Sequence, residues 1–588
     1  MTRRTLLSLL AAPAAAADPA MLWNHVERLL RENDERRRAA LEAVNGPAAR
    51  TALRSRVRSA MLRAIGGLPQ RTDLAPRTAG ELRRDGYRIE KVIYQSRPGF
   101  SVTGNLYLPA GAGRHPAVLH SCGHSVNGKA SAAYQRVSIG LARLGFVVLT
   151  FDPIGQGERF QYAGIRQPTV DHARSGRQAY LTGATLAQFR IWDAIRGLDY
   201  LETRPEVDPR RLGMIGQSGG GMLTLITAPL DERIRAAMSA CAVATYYHKT
   251  LAGLIADPEQ IQPGLLGSGI DHPELIASVA PRPFLICAAR RDFVPIDGAR
   301  RTFQEVRPHF PPGTVAIAET DDVHNLNREL REATYAWMLR HLAGRDESPS
   351  EPELAIEKDE DLQCTPAGSV FDTPGARRVF DFTRATARTL AARRPAAVDP
   401  GAVRALLGLP PDLPPPRRIG ARIETEPGIA LPLDIEGDGT DLLLVVSPDG
   451  RRPAWATGRV AILQPRGWGA TAPDRPEDFF AYRGYELGRP LLGMRVLDVL
   501  QCVRLLRADF PRISVAGEGP AGIVALHALV LDPEIAAAQL RATPESYEVF
   551  LERADIDAPV ASFPAGVLRT YDLPALIEAA GPGRVIRG

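Results

Sequence analysis

The chain has 588 residues, 45% hydrophobic and 24% charged, which excludes a single small module, a collagen-like repeat and wholesale disorder. Its 72 basic against 67 acidic residues leave a net charge of +5, too little over this length to imply a nucleic-acid or membrane partner. Five cysteines at irregular spacing contain no C-x-x-C pair, so neither a disulfide framework nor a cysteine-held metal is expected. In chain order, residues 1–17 read as a leader. Arg3 and Arg4 precede an apolar run and an Ala15-Ala16-Ala17 cleavage site, and Thr2–Leu7 has the twin-arginine form, so a periplasmic or secreted protein is expected. No later run is apolar over ~18 residues, so no membrane contact is expected after processing. Residues 18–86 carry helical spacing and many charges, an N-terminal helical extension.

From Tyr87 short apolar runs at Tyr87–Tyr94, Gly104–Leu108, Ala117–His120, Val147–Phe151, Leu212–Ile215, Pro283–Ala288 and Val315–Ala318 are separated by helical patterns at Tyr134–Leu144, Thr185–Leu201, Met222–Ile226 and Glu329–Leu342. Apolar strands alternating with helices predict an α/β domain over 87–344, a mostly parallel sheet with helices on both faces. Residues 345–418, acidic and proline-rich, read as a solvated linker holding one helix near Ala376–Arg393, and the alternation resumes over 419–588.

The chemistry centres on Gly216-Gln217-Ser218-Gly219-Gly220, a G-x-S-x-G between an apolar strand and an apolar helix. Small residues around the serine permit the sharp strand-to-helix turn that presents a nucleophile. A serine needs a general base, and the base an orienting carboxylate, in the chain order Ser, Asp, His. Asp292 follows the Pro283–Ala288 strand by a few residues. His324 follows the Val315–Ala318 strand, and the separations are 74 and 32 residues. Asp292 as a helix cap, and Asp321 or Asp322 as the acid, are the competing assignments. The oxyanion hole would use the backbone N–H of Gly219 and, from the loop His120-Ser121-Cys122-Gly123-His124, that of His124, whose side chain is read as a pocket wall. Asp152-Pro153-Ile154-Gly155-Gln156-Gly157 lacks the context of a dinucleotide site and is read as structural. No cofactor or metal site is expected.

These motifs, with Asp292-Phe293-Val294-Pro295 and His324, resemble the α/β-hydrolases, nearest the acetyl xylan esterase and dienelactone-hydrolase-like branch, over about Tyr87–Gly344. The resemblance implies a serine carboxylic ester hydrolase acting on a small-molecule or carbohydrate ester, acetylated plant polysaccharide among them. A serine peptidase of prolyl-oligopeptidase type and a non-catalytic carbohydrate-binding or scaffold protein are the alternatives. Tyr162, Tyr180, Tyr246 and Tyr247 fall where a lid would form, as sugar-stacking or as packing residues.

The C-terminal third reads as a degenerate second copy of the same fold. Arg512–Gly522 repeats the elbow Arg211–Gly221 at an offset of 301 residues, with Gly519 where Ser218 stands, and Pro574-Ala575-Leu576-Ile577 repeats Pro273-Glu274-Leu275-Ile276 at the same offset. Copies of Asp292 and His324 would fall at 593 and 625, past Gly588. A truncated α/β domain without catalytic groups, docked on the first, is the expectation.

Overall fold

The computed structural model describes residues 18–254, 257–412 and 414–588; the expected leader at 1–17 lies outside the described residues. β4 (His115–Ser121) and β5 (Val147–Phe151) are almost wholly buried, because helices cover both faces of a parallel pair. Around them β1 (Arg77–Arg84), β2 (Tyr87–Arg97), β3 (Phe100–Pro109), β6 (Val207–Gln217), β7 (Ile234–Ala240), β8 (Phe284–Ala289) and β9 (Val315–Thr320) complete a nine-stranded sheet. Its order is β1-β2-β3-β5-β4-β6-β7-β8-β9. The first three neighbouring pairs are antiparallel and the other five parallel. The parallel strands therefore end along one edge, where the loops after β4, β6, β8 and β9 gather.

Two expectations change. Residues 18–86 are helical only at Met21–Glu42 and Gly46–Ile65; their last part is β1, a mostly exposed edge strand. Its charged side chains hid it from the apolar pattern while they protect the edge from further pairing. The segment 345–418 is also more than a solvated linker. Glu351 pairs with Arg331 and accepts from the Tyr335 hydroxyl at 2.6 Å, Glu357 pairs with Arg84 at 2.6 Å, and the N–H groups of Cys364 and Thr365 donate to Glu158. Its acids found arginines on the first domain; the expected helix is present at Val379–Ala391.

The second domain repeats the first. β10 (Arg417–Ile419), β11 (Arg422–Glu426), β12 (Ile429–Glu436), β13 (Leu442–Val446), β14 (Arg459–Leu463), β15 (Ile513–Glu518), β16 (Ala538–Arg541) and β17 (Val585–Arg587) form a sheet of order β10-β11-β12-β14-β13-β15-β16-β17. That is the order of the first sheet without its final strand. The match extends to single bonds: Asp271 caps a helix while accepting from the N–H of Tyr246, and Asp572, 301 residues on, does the same with Tyr547.

The domains share a core. Tyr180, Tyr246, Ile261 and Leu266 of the first domain pack with Tyr485, Phe479 and Leu568 of the second, and Met21, Leu22, Val26 and Leu30 of the N-terminal helix join them. Polar contacts fix the docking. Gly264 N–H donates to the Tyr485 carbonyl at 2.7 Å, Gly566 N–H to that of Tyr180 at 2.6 Å, and Gln178 Nε2 to three carbonyls of Phe550, Arg553 and Ile556. Tyr180 is thereby committed to packing, edge-on to Tyr485 at 5.2 Å.

His120, at the end of β4, lies fully buried with Nδ1 3.0 Å from Ser138 Oγ. Burial pulls its pKa down to about 3. The folded state thus holds the ring neutral while the unfolded chain protonates near 6.5, so this contribution to stability falls as pH drops from 6.5 towards 3. The slope is about 1.4 kcal/mol per pH unit. Glu274 and Glu486, whose carboxyls burial raises to about 7, act in the opposite direction. Urea unfolding between pH 7 and pH 4 is therefore compared between wild type and His120→Gln: the variant is expected to lose less stability per pH unit, and parallel losses would refute the assignment.

Candidate active site

Ser218 follows β6 and precedes the helix Gly219–Thr227, at φ 56°, ψ −121°. A side chain at positive φ costs about 1–3 kcal/mol, so its surroundings must enforce it. They do so by contact. A Cβ on Gly220 would collide with the Ser121 carbonyl at the end of β4, and one on Gly216 with the Gly220 carbonyl. On the far side, a Cβ on Gly123 would lie 2.6 Å from the Gln217 carbonyl and 3.0 Å from Ser218 Cβ. Glycines at three positions thus press the elbow, β4 and the following loop together. In the second domain Gly519 has φ 55°, ψ −122°, the same turn without the side-chain cost.

The loops after β8 and β9 bring Asp292 and His324 together: Nδ1 of His324 lies 2.8 Å from Asp292 Oδ1. The carboxylate is buried, while the imidazole is partly open and stacks on Phe293 at 4.3 Å. Asp292 Oδ1 also accepts from the Val294 N–H at 3.0 Å, a bond within its own loop. The helix Ile296–Val306 begins at Pro295 with no side-chain cap, so the capping assignment falls and the orienting one stands. Asp321 instead pairs with Arg291 at 3.2 Å, and Asp322 binds the N–H of Val323 and the amides of Asn325 and Asn327. Both shape the loop and leave His324 to Asp292. Cys241, the residue after β7, has φ 51° and lies beside the Asp292 and His324 pair, with its thiol pKa pushed up by burial and by the Asp292 carboxylate.

Ser218, His124, Met222, Cys241, Tyr246 and Phe293 are among the residues that line a cavity of about 220 Å³. Of the four tyrosines, Tyr246 alone belongs to this lining; Tyr162 and Tyr180 are buried and are not part of it. The His124 loop is held from below by Lys129. Its Nζ lies 2.6 Å from Asp152 and 2.5 Å from Glu158, its N–H donates to Asp152 Oδ1 at 2.8 Å, and the Gln156 side chain accepts from the Ser125 N–H at 2.8 Å. Burial disfavours the ammonium, but the two carboxylates prevail and raise its pKa. The Asp152–Gly157 loop is structural in this sense, as its sequence suggests.

His124 itself meets a buried cluster that no local pattern announced. Its Nε2 lies 3.3 Å from Asp257 and 3.4 Å from Glu259, and His172 Nδ1 lies 2.9 Å from the same Asp257 oxygen. The four side chains come within 4.8 Å of one another, a spacing a metal ion could use. Arg190, however, already pairs with Glu259, and the other ring nitrogen of His172 faces the Ile154 carbonyl at 2.7 Å. The guanidinium supplies the positive charge that a cation would bring.

Residues 70–252 match the family model described as acetyl xylan esterase (AXE1), a span that contains Ser218 and the His124 loop and stops before Asp292 and His324. Bacillus subtilis (strain 168) YtaP is 27% identical over 272 residues, 43% of this chain and 87% of that protein. Thiohydrolase apmlB of Arthrinium phaeospermum is 25% identical over 159 residues, and the alignment spans 45% of its length. Among solved structures, Methylesterase BT1017 aligns at 21% identity with a TM-score of 0.49, covering 60% of this chain and 78% of that one.

Gly220→Ala is expected to remove the elbow, seen as a turnover loss of at least about 10²-fold with a lower melting temperature, because the methyl group meets backbone that cannot move aside. A variant of normal activity would show that the turn tolerates a side chain there. Because Arg190 pairs with Glu259, millimolar EDTA is expected to leave turnover and melting temperature unchanged. Loss of either, restored by a divalent cation, would assign a metal to His124, His172, Asp257 and Glu259.

Proposed function

We propose that this protein is an exported serine carboxylesterase whose triad is Ser218, His324 and Asp292. The observation that carries the reading is the 2.8 Å bond between His324 and Asp292, whose own loop lends Phe293 and Val294 to the lining of the Ser218 cavity. Asp292 accepts from Nδ1–H of His324, which leaves Nε2 as the base. His324 Nε2 takes the Ser218 proton as Oγ attacks the ester carbonyl, then returns it to the leaving alcohol; a water activated in the same way releases the acid. The oxyanion is held by the N–H groups of Gly219, at the start of a helix, and of His124. The His124 side chain, fixed between Asp257 and Glu259, is a wall of the site that positions its own backbone, and takes no proton.

The substrate is an ester-decorated carbohydrate, acetylated plant polysaccharide or its fragments. The family match over 70–252 supports this class. The exposed rim supports it too: Phe293 and Val323, 58% and 54% exposed, offer apolar surface beside the triad against which a sugar face can lie.

Hydrolysis of p-nitrophenyl acetate tests the mechanism. Ser218→Ala and His324→Ala are expected to lower kcat by roughly 10⁶-fold and Asp292→Asn by roughly 10⁴-fold, since loss of orientation leaves the nucleophile and base in place. Turnover retained in Ser218→Ala would end the assignment.

A further inference from the structure

The Ser218 cavity is walled by two cations that hydrolysis of a plain acetyl ester does not require. Lys249, on the short helix Tyr246–Leu251, is 6% exposed, and its Nζ lies 3.4 Å from Met222 Sδ, one helical turn after the nucleophile. A thioether is a poor partner for an ammonium. Among the described residues no ion pair is formed by this lysine, although Asp271, Glu486 and Asp292 contribute to its field. Each is engaged elsewhere. Asp271 accepts from the N–H groups of His272 and Tyr246, Asp292 serves His324 and Val294, and Glu486 pairs with Arg483. Burial pulls the Lys249 pKa down to about 8 against the pull of these carboxylates, none of which pairs with it.

Arg483 reaches the same cavity from the second domain, on the helix Glu477–Leu487. It is 1% exposed, with its guanidinium 5.3 Å from the Tyr246 ring and 5.7 Å from that of Phe479, and its Nε has no hydrogen-bond partner among the described residues. Its partner Glu486 is a weakened counter-ion, since burial pushes that carboxyl up to about 7. Asp257, the carboxylate that lines the same cavity, lies against His124 and His172, so of the nearby acids Glu486 alone is ion-paired with either of the two cations, and it loses its charge near neutrality. Unpaired buried charge is costly, so such a site is satisfied by an anion arriving with the ligand.

We propose that Lys249 and Arg483 form a subsite for a carboxylate carried by the ester substrate. The proposal rests on the hydrolase reading above and narrows its substrate to acidic esters. The carboxylate would belong either to an O-acetylated sugar acid or to the acyl part of a dicarboxylic hemiester. It also gives the second domain a role in selecting the substrate, since one of the two cations is its own.

The test measures kcat/KM of the full chain on two matched pairs, O-acetyl galacturonic acid against O-acetyl galactose, and p-nitrophenyl hydrogen succinate against its methyl ester. In one pair the charged member is expected to be preferred by about ten- to hundredfold, mostly through KM, and that pair identifies the source of the carboxylate. Lys249→Met, and Arg483→Met combined with Glu486→Gln to avoid stranding a buried acid, are each expected to reduce the preference at least tenfold, while Lys249→Arg retains it. Ser218→Ala supplies a readout without turnover: calorimetry should give tighter binding of galacturonate or succinate than of galactose, weakened tenfold or more by adding Lys249→Met. Wild type that cleaves p-nitrophenyl acetate without preference in either pair overturns the subsite alone. So do variants that lower both members of a pair equally. Absence of all turnover overturns the hydrolase reading, and the calorimetric comparison then decides the subsite.

Discussion

The close approach of Gly220 to the Ser121 carbonyl is the contact on which the rest of the site depends. It joins the elbow after β6 to the end of β4, so the nucleophile and the loop carrying His124 cannot be displaced separately. The turn at Ser218 costs about 1–3 kcal/mol, a sizeable share of the ~5–15 kcal/mol that separates a folded domain from its unfolded chain. The nine-stranded sheet sustains it through β4 and β6, which pair directly in parallel register. Asp292 and His324 reach the same edge because β8 and β9 run parallel to these strands and end on the same side.

The second domain keeps this frame and discards the strain. Its elbow repeats the dihedral angles of Ser218 within about a degree, but at Gly519, for which they are unstrained. A turn that no longer presents a nucleophile has no need of a side chain, whereas the packing that created it remains in place: a Cβ on Gly517 would still meet the carbonyl of Ala521, as one on Gly216 would meet that of Gly220. The copy therefore keeps the packing of the elbow with glycine at the position of the serine. Its surface found other employment, in a core shared with Tyr180, Tyr246, Ile261 and Leu266 and in the wall that Arg483 forms at the cavity.

Around the site, charge is buried in matched groups. Lys129 lies between Asp152 and Glu158, and Arg190 joins Glu259 next to His124, His172 and Asp257. Removing one member of such a set strands its partner at a cost of about 3–5 kcal/mol, which makes these clusters rigid supports for the loop they hold. Lys249 departs from that pattern, with the Met222 sulfur and the Tyr246 ring as its near neighbours.

The amino-acid order by itself determined the α/β alternation, the elbow at Ser218, the Ser, Asp, His sequence of candidate residues and the repeat at an offset of 301, because each is local: apolar runs, glycines flanking a serine, loops following strands. It also placed Gly519 opposite Ser218, which the dihedral angles repeat. The edge strand Arg77–Arg84 escaped notice because an exposed strand needs no apolar pattern, and the 345–418 segment appeared solvated because its acidic residues find their arginines on elements of the first domain, Glu357 on a strand 273 residues earlier. Only the tertiary structure decided that Asp292 rather than Asp321 or Asp322 meets His324. It alone brought Asp257, Glu259 and His172 beneath His124, and Arg483 beside Lys249. Those groups come from separate helices and loops, the last pair from different domains. A buried charge is recognised by what surrounds it, and burial exists only once the chain has folded.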